Sequence, residues 1–383
     1  GHIMRKKILF VTERRADYSK LYPVLKQIEQ SKKFDYYLVV TGSHLLKKHG
    51  QTINEIKKDG IKIYKKFKMF EEKNNDSPAT MTEGFGIAIT NLTKIIKTLK
   101  PDLIFSGFDI GANFAAAIIG AHMNIHVAHL EGGEITGTID ESIRHSISKF
   151  SHIHFTSNND ASKRLEKMGE ISKNIFTVGN PSLDTIKSIK IIPKKELEKE
   201  FCVDFKKPLL LLVQHTVTSE INEIGKYFLE TINAINETNY QCIVILGNSD
   251  AGSEKIKKII KNSNILNYEN LPFQKYISLL NYSSVIIGNS SSGIMEAPFL
   301  HIPSINVGTR QEGRSNTTSI INVKYNKKAI KKAIKKAIED KKFLESIKKQ
   351  KNQHGNGNAS KKIINILEKL NLQKISIQKK LAY

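Results

Sequence analysis

Cysteine is scarce: Cys202 and Cys242 are the only two in 383 residues. They are too few for a disulfide framework and lack the spacing of a metal site. Long apolar runs are missing as well. None approaches the ~20 uncharged residues that cross a bilayer, and Leu209 to Val213 has the length of a buried strand. Gly1-His2-Ile3 reads as a scar of cloning ahead of a native start at Met4, and the run Ile8-Leu9-Phe10-Val11 is too short for the core of a signal peptide. Neither G-x-G-x-x-G nor G-x-x-x-x-G-K-[ST] occurs, which argues against an NAD enzyme and a P-loop kinase. Low-complexity segments are absent. Together these gaps predict a soluble protein of the reducing cytoplasm with no membrane partner.

Acidic residues are outnumbered, 37 against 60 Lys and Arg, giving a formal net charge of +23. That excess raises the possibility of a nucleic-acid partner, but its distribution argues against one. The lysines are spread over the chain and are densest on helix faces. Lys327-Lys328, Lys331-Lys332 and Lys335-Lys336 alternate with Ala329-Ile330, Ala333-Ile334 and Ala337-Ile338, the inner stripe of an amphipathic helix. The expectation is a solvated basic surface and no nucleic-acid partner.

What is present is an alternation of short apolar strands and amphipathic helices, the pattern of parallel α/β architecture. Strands are expected at Ile8–Thr12, Tyr36–Thr41, Ile61–Tyr64, Leu103–Ser106, Ile125–His129, Ile153–Thr156 and Ile175–Val178. After a break at Gly179-Asn180-Pro181 the pattern restarts, with strands at Leu209–Val213, Cys242–Leu246 and Val285–Ile287, and a further one before Gly308. Ala112 to Ala121 is apolar nearly all round and predicts a helix buried against the sheet. The length calls for more than one core, so two Rossmann-like domains are expected, residues 4–184 and 185–355. Charged helices at about 327–352 and 359–371 end the chain, and residues 356–383 are expected to pack back on the first domain. In such a pair the loops at the carboxyl ends of the strands line one interdomain cleft, where ligands bind.

Three loops in the first half carry chemistry. Thr12 to Lys20, with Arg14, Arg15, Asp17 and Ser19, opens a helix and suits an anion, although Asp17 or Ser19 as a simple helix cap explains it equally well. Gly107-Phe108-Asp109-Ile110-Gly111 puts a carboxylate at a strand end. The densest polar run is His129 to His145, in which three glycines interleave with Glu131, Glu134 and Asp140. Asp140 or Ser142 as the cap of the helix bearing Arg144 and His145 is the structural reading there. Glu131 is harder to dismiss, because a carboxylate at the end of a buried strand needs a partner or a task. In the second half His215 ends a strand, and Gly288-Asn289-Ser290-Ser291-Ser292-Gly293 opens a helix as a phosphate cradle would. Glu296 on that helix is placed to accept two ribose hydroxyls, and Gly308 to Arg314, with Arg310, is a basic loop suited to a phosphate.

Arg15 to Leu21, Glu131 to His145, Gly288 to Glu296 and Gly308 to Arg314, in that order over roughly residues 7–320, resemble the hydrolysing UDP-N-acetylglucosamine 2-epimerase family. The resemblance implies a GT-B-like pair of domains with the nucleotide held mainly by the second. It also implies catalytic roles for Asp109, Glu131, Asp140 and His215, and nucleotide or phosphate contacts from Arg15, Ser19, Ser290, Ser291, Glu296 and Arg310. Glu134, Arg144 and His145 are taken as substrate-binding. Phe108-Asp109-Ile110 stands where family members acting on UDP-N-acetylglucosamine have Gly-Asp-Arg. That departure is similar to the legionaminic acid branch, which acts on GDP- or UDP-N,N'-diacetylbacillosamine, GDP being favoured here. The implied reaction eliminates the diphosphate to a glycal and then adds water. It needs several acid–base groups but no metal and no redox cofactor. A homodimer or homotetramer is implied. The rival readings are a GT-B glycosyltransferase, a non-hydrolysing epimerase and a basic nucleic-acid-binding protein.

Overall fold

A computed structural model describes residues 4–75, 77–108, 111–135, 139–214, 223–246, 253–263, 265–290, 292–308 and 318–383. Its contacts divide the chain into two compact units. Gly1–Glu134, Ile139–Lys187 and Gln353–Tyr383 form the first, and Ser188–Asn352 forms the bulk of the second.

The first unit is built on seven parallel strands: β1 (Lys6–Thr12), β2 (Phe34–Val40), β3 (Ile63–Lys66), β4 (Leu103–Gly107), β5 (His126–Leu130), β6 (Ile153–Thr156) and β7 (Ile175–Thr177). They lie in the order β3-β2-β1-β4-β5-β6-β7. Because successive side chains point to opposite faces, β1 feeds two cores. Ile8 and Phe10 pack with helix Arg15–Glu29 and with Ile363, Ile364 and Leu367 of helix Ala359–Lys369. Leu9 and Val11 pack with helices Pro78–Leu99 and Gly111–His122. Covering both faces is what requires the unbroken apolar strands. The alanines of helix Gly111–His122 let it lie close to the sheet: a Cβ on Gly120 would stand 2.6 Å from Val127.

The second unit repeats the plan with β8 (Leu209–Gln214), β9 (Gln241–Leu246), β10 (Leu266–Tyr268), β11 (Val285–Gly288), β12 (Ser304–Val307) and β13 (Ile320–Val323), in the order β10-β9-β8-β11-β12-β13. Leu210, Leu212, Val244 and Ile287 pack against Phe228, Ile232 and Ile235 of helix Ile224–Thr238 and against Ile330 and Ile334 of helix Lys327–Glu339. Strands β10 and β13 were not expected from the sequence: β10 is three residues long and two of them are exposed, whereas the apolar residues of β13, Ile320, Ile321 and Val323, form only a four-residue edge strand. The single helix expected over about 327–352 is two, Lys327–Glu339 and Lys341–Lys349, because Asp340 leaves the helical conformation and its Oδ1 accepts the Phe343 N–H at 3.0 Å as a new cap. Among the described residues no helix is long and apolar enough to cross a membrane.

In both units the strand order reverses beside the first strand, between β1 and β4 and between β8 and β11. A parallel sheet opens a crevice at such a switch point, and the loops leaving those strands line it. Gly288, the last residue of β11, has φ +133°, and a Cβ there would stand 2.0 Å from the Val213 carbonyl oxygen of β8. Gly288→Ala is therefore expected to destabilise the second unit by about 3 kcal/mol or more. Gly86→Ala, on a helix with no atom within 4 Å of the new methyl, is expected to stabilise by about 0.5–1 kcal/mol. Urea-unfolding midpoints moving in opposite directions would confirm the pair; equal midpoints would refute it.

Candidate functional site

At the switch point of the first unit, β1 ends in Thr12 and the chain turns through Glu13 and Arg14 into helix Arg15–Glu29. The anion at this helix start belongs to the protein. Asp17, buried in the first turn, accepts from the Glu13 N–H and from Arg14 Nε, both at 3.3 Å. Ser19 does not cap the helix; its hydroxyl donates to the Ala16 carbonyl at 2.9 Å. Arg15 is paired with Glu55 at 2.9 Å, and its guanidinium is shifted down by burial, with Glu55 opposing. Glu13, itself buried, accepts from the Ala112 N–H at 2.8 Å and so occupies the start of helix Gly111–His122. In the first turn of that helix Asn113 accepts from the Gly107 N–H at 3.0 Å and donates to Val11 O at 3.3 Å. Asp109, between Gly107 and Gly111, lies outside the described residues.

Glu131 is the first residue after β5, 5% exposed and in the left-handed region at φ +68°. Phe108, the first after the neighbouring strand β4, has φ +71°. Left-handed backbone costs a non-glycine residue of order 1 kcal/mol, and here it turns two adjacent strand ends away from their ladders. Both carboxylate oxygens of Glu131 are held. Lys20 Nζ lies 2.7 Å from Oε2 and 5.2 Å from the centroid of the Phe108 ring, while Asn180 Nδ2 donates to Oε1. Asn180 is locked in turn: its Oδ1 accepts from Ser182 N and Oγ, and its N–H donates to His354 O at 2.7 Å. Gly179-Asn180-Pro181 is thus more than a break in the pattern. It is a buried turn that delivers an amide to Glu131.

Beyond Glu131 the loop is tied to a second buried network. Glu134 accepts from Asn158 Nδ2 at 2.7 Å, and its carbonyl accepts from Arg144 Nη1 at 3.0 Å. Asn158 Oδ1 caps helix Asn159–Lys167 through the Ala161 N–H, and His354 Nδ1 lies 2.8 Å from Ser157 Oγ. Helix Ile139–Phe150 carries Asp140, Arg144 and His145. Asp140 and Ser142 lie inside this helix rather than capping it, because it begins at Ile139. Asp140 and Arg144, four residues apart, share one face. His145 Nε2 stands 3.4 Å from Glu141, and burial lowers the pKa of its ring, with Glu141 opposing.

In the second unit the turn after β11 leads into helix Ser292–Phe299. Ser290 Oγ accepts from the Ser292 N–H at 3.2 Å, and the Gly293 N–H donates to Ser290 O at 3.2 Å. Helix N–H groups of this kind favour an anion. Glu296 falls on the second turn and is half-buried. Its charge reaches Tyr276, whose hydroxyl bonds Ser292 Oγ at 2.7 Å; burial and then Glu296 push the phenol's pKa upward. His215, Ser291 and Arg310 lie outside the described residues. Lys20 and Asn180 are the residues that sequence reasoning missed. Lys20 lay inside a motif read for its arginines, and Asn180 carried only a turn signal.

The chemistry open to the first unit is that of a buried, strained carboxylate beside an ammonium; that of the second is a helix start suited to a phosphate. Residues 26–368 match the sequence family described as UDP-N-acetylglucosamine 2-epimerase. The UDP-N,N'-diacetylbacillosamine 2-epimerase (hydrolyzing) of Legionella pneumophila is 35% identical over 384 positions, covering 99% of this chain and 100% of that protein. The UDP-N-acetylglucosamine 2-epimerase of Neisseria meningitidis serogroup B is 35% identical over 328 positions, 85% of each chain. The crystal structure of a UDP-GlcNAc 2-epimerase from Neisseria meningitidis bound to UDP-GlcNAc has the same fold, with a TM-score of 0.82 at 22% identity over 95% of this chain and 100% of that one.

Proposed function

The chain belongs to the UDP-N-acetylglucosamine 2-epimerase family, and on that premise we propose that it is a hydrolysing nucleotide-sugar 2-epimerase acting on N,N'-diacetylbacillosamine. The sugar is carried by GDP, the form preferred on the resemblance to the legionaminic acid branch, or by UDP, as the name of the Legionella relative has it. The products are 2,4-diacetamido-2,4,6-trideoxymannose and the nucleoside diphosphate, feeding legionaminic acid synthesis in the cytoplasm. A homodimer or homotetramer is part of the reading. The observation that carries it is Glu131, buried at a switch point on left-handed backbone with an ammonium and an amide on its two oxygens.

In an α-linked gluco sugar the C2 hydrogen and the C1 diphosphate are trans-diaxial. The C2 proton has no adjacent carbonyl to acidify it, so cleavage of the C1–O bond leads and positive charge builds at C1 and the ring oxygen. The electron pair of that bond leaves with the diphosphate, and the C2 proton passes to a carboxylate, giving a glycal. Water then adds, its hydroxyl to C1, while a proton reaches C2 from the opposite face. A carboxylate already bonded to an ammonium is a weaker base than a free one. This assigns Glu131 to stabilising the cation and leaves the C2 proton to Asp109, with Asp140 returning the second proton. His215, Arg310 and the start of helix Ser292–Phe299 offset the leaving diphosphate; Ser290 and Ser291 cradle it, and Glu296 takes the ribose. Glu134, Arg144 and His145 shape the sugar side, Glu134 and Arg144 through the loop they hold together.

The equal identity to the Neisseria enzyme supports a second reading, UDP-N-acetylglucosamine as substrate and N-acetylmannosamine as product. One assay decides between them. GDP- and UDP-N,N'-diacetylbacillosamine and UDP-N-acetylglucosamine are supplied separately without acceptor, and products are analysed by mass spectrometry and NMR. Free manno sugar and nucleoside diphosphate from a diacetylbacillosamine donor are expected. Release only from UDP-N-acetylglucosamine establishes the second reading. Return of an epimerised but intact nucleotide sugar, or no turnover without an acceptor, overturns both.

A further inference from the structure

Residues 375–383 contribute no helix or sheet strand, yet side chains and backbone of the first unit hold them at every second or third residue. His126 Nε2 lies 2.7 Å from Ile375 O, and His152 Nε2 lies 3.0 Å from Ile377 O. His152 Nδ1 accepts the Val127 N–H at 3.0 Å, which leaves Nε2–H as the donor to the tail. Ala382 N–H donates to Gly169 O at 2.9 Å. Between these points Lys379 turns inward. Its Nζ donates to Ser148 O at 3.0 Å, to Lys149 O at 2.9 Å and to Glu170 Oε1, which occupies all three of its protons.

Ser148 and Lys149 lie in the last turn of helix Ile139–Phe150, where the helix dipole is negative; the Ser148 carbonyl accepts the Ser151 N–H at 3.1 Å as well as the Lys379 ammonium. Glu170, 3% exposed, gathers Lys149 at 2.6 Å and His154 at 2.8 Å beside Lys379 and so fixes the ammonium in place. The same turn is linked to β5: Ser148 Oγ lies 3.0 Å from His129 Nδ1, two residues before Glu131. The packing between them is close at Gly132, where a Cβ would meet His129 at 2.8 Å and Ser148 at 2.9 Å.

We propose that Lys379 is a positioning residue: its ammonium caps helix Ile139–Phe150 and thereby sets where Asp140, Arg144 and the Glu131 loop stand. The catalytic half of this inference rests on the proposed function, whereas the capping half does not. Lys379→Met is compared with the parent by hydrogen exchange and by steady-state kinetics on the donor that the parent turns over. Amides of residues 144–150 are expected to exchange about tenfold faster, and kcat to fall about tenfold. KM should stay within about twofold, because the nucleotide is assigned to the second unit. Lys379→Arg, which keeps the charge, should restore most of both losses. If Lys379→Met fails to fold because Glu170 is left buried and charged, Lys379→Met with Glu170→Gln carries the same test without that charge. Unchanged exchange in 144–150 overturns the capping, and faster exchange with unchanged kcat overturns the positioning role. A parent that turns over no nucleotide sugar sinks the proposed function alone, since the exchange experiment needs no substrate.

Discussion

Glu131→Gln is expected to fold as the parent does and to lose about 10²-fold or more in kcat, as removing charge stabilisation at a developing cation does. The fold should survive because the two donors on Glu131 differ in freedom. Asn180 is buried and locked by Ser182 and His354, so the new amide turns its oxygen toward Asn180. Its NH2 then faces Lys20, which retains some solvent exposure and can swing away. One lost hydrogen bond at a partly wet group costs about 1 kcal/mol, too little to unfold a domain. Lys20→Met tests the same contact from the other side. Without the ammonium the ionised form of Glu131 keeps the Asn180 amide but loses the opposite charge of Lys20, so the carboxylate becomes a stronger base. The acid limb of the pH–rate profile should then move to higher pH, and Lys20→Arg should move it back. Full activity in Glu131→Gln, or an acid limb unmoved in Lys20→Met, would remove Glu131 from the reaction.

The contrast between Glu131 and Lys20 shows what sequence can deliver. Strands β1, β4, β5 and β8 were legible because burial on both faces forces an apolar side chain at nearly every position, as in Ile8 to Val11 and Leu209 to Val213. Glu131 was legible for the converse reason, as a carboxylate after such a run. Lys20 and Asn180 were not, because the contacts that give them meaning span 111 and 49 residues. One more lysine in a chain holding 60 Lys and Arg carries no local signal. Arg15 illustrates the opposite hazard. A basic residue at a helix start reads as an anion contact, and only tertiary structure brings Glu55 to it. The return of residues 356–383 to the first domain was expected, but the anchors of the tail were opaque for the same reason, because His126, His152 and Lys379 have nothing in their neighbourhoods to mark them as partners.

Stability is expected to fall steeply between pH 6.5 and pH 4, and buried histidines set the direction. His44 is fully buried between Thr12 Oγ1 at 2.8 Å and Thr52 Oγ1 at 2.7 Å, and burial pushes its pKa down from 6.5 to about 3, with a smaller upward effect of the Arg14 carbonyl. His152 is pushed down to about 4, again chiefly by burial, against the pull of the Ile377 carbonyl. A folded-state pKa below the unfolded value means that the native state refuses a proton the unfolded chain accepts. Above pH 6.5 neither state is protonated and the fold has its full stability. Below it each such histidine costs about 1.4 kcal/mol per pH unit until its folded pKa is reached. By pH 4 the two together remove up to about 7 kcal/mol, comparable with the whole stability of a domain. Glu170 works in another window. Burial raises its pKa, but hydrogen bonds and charge from His154, Lys149 and Lys379 outweigh that and hold it down to about 2. Its contribution is therefore intact above pH 4.5 and is lost only as pH falls from there through 2, so it does not soften the earlier decline. Urea-unfolding midpoints at pH 7.5, 5.5 and 4.5 should drop at each step. His152→Gln, whose amide oxygen and NH2 can replace the ring's acceptor and donor, should flatten the drop. Midpoints constant over that range would show that these rings take up protons in the folded state, and the Nδ1 lone pair of His152 that accepts the Val127 N–H would have to be abandoned with them.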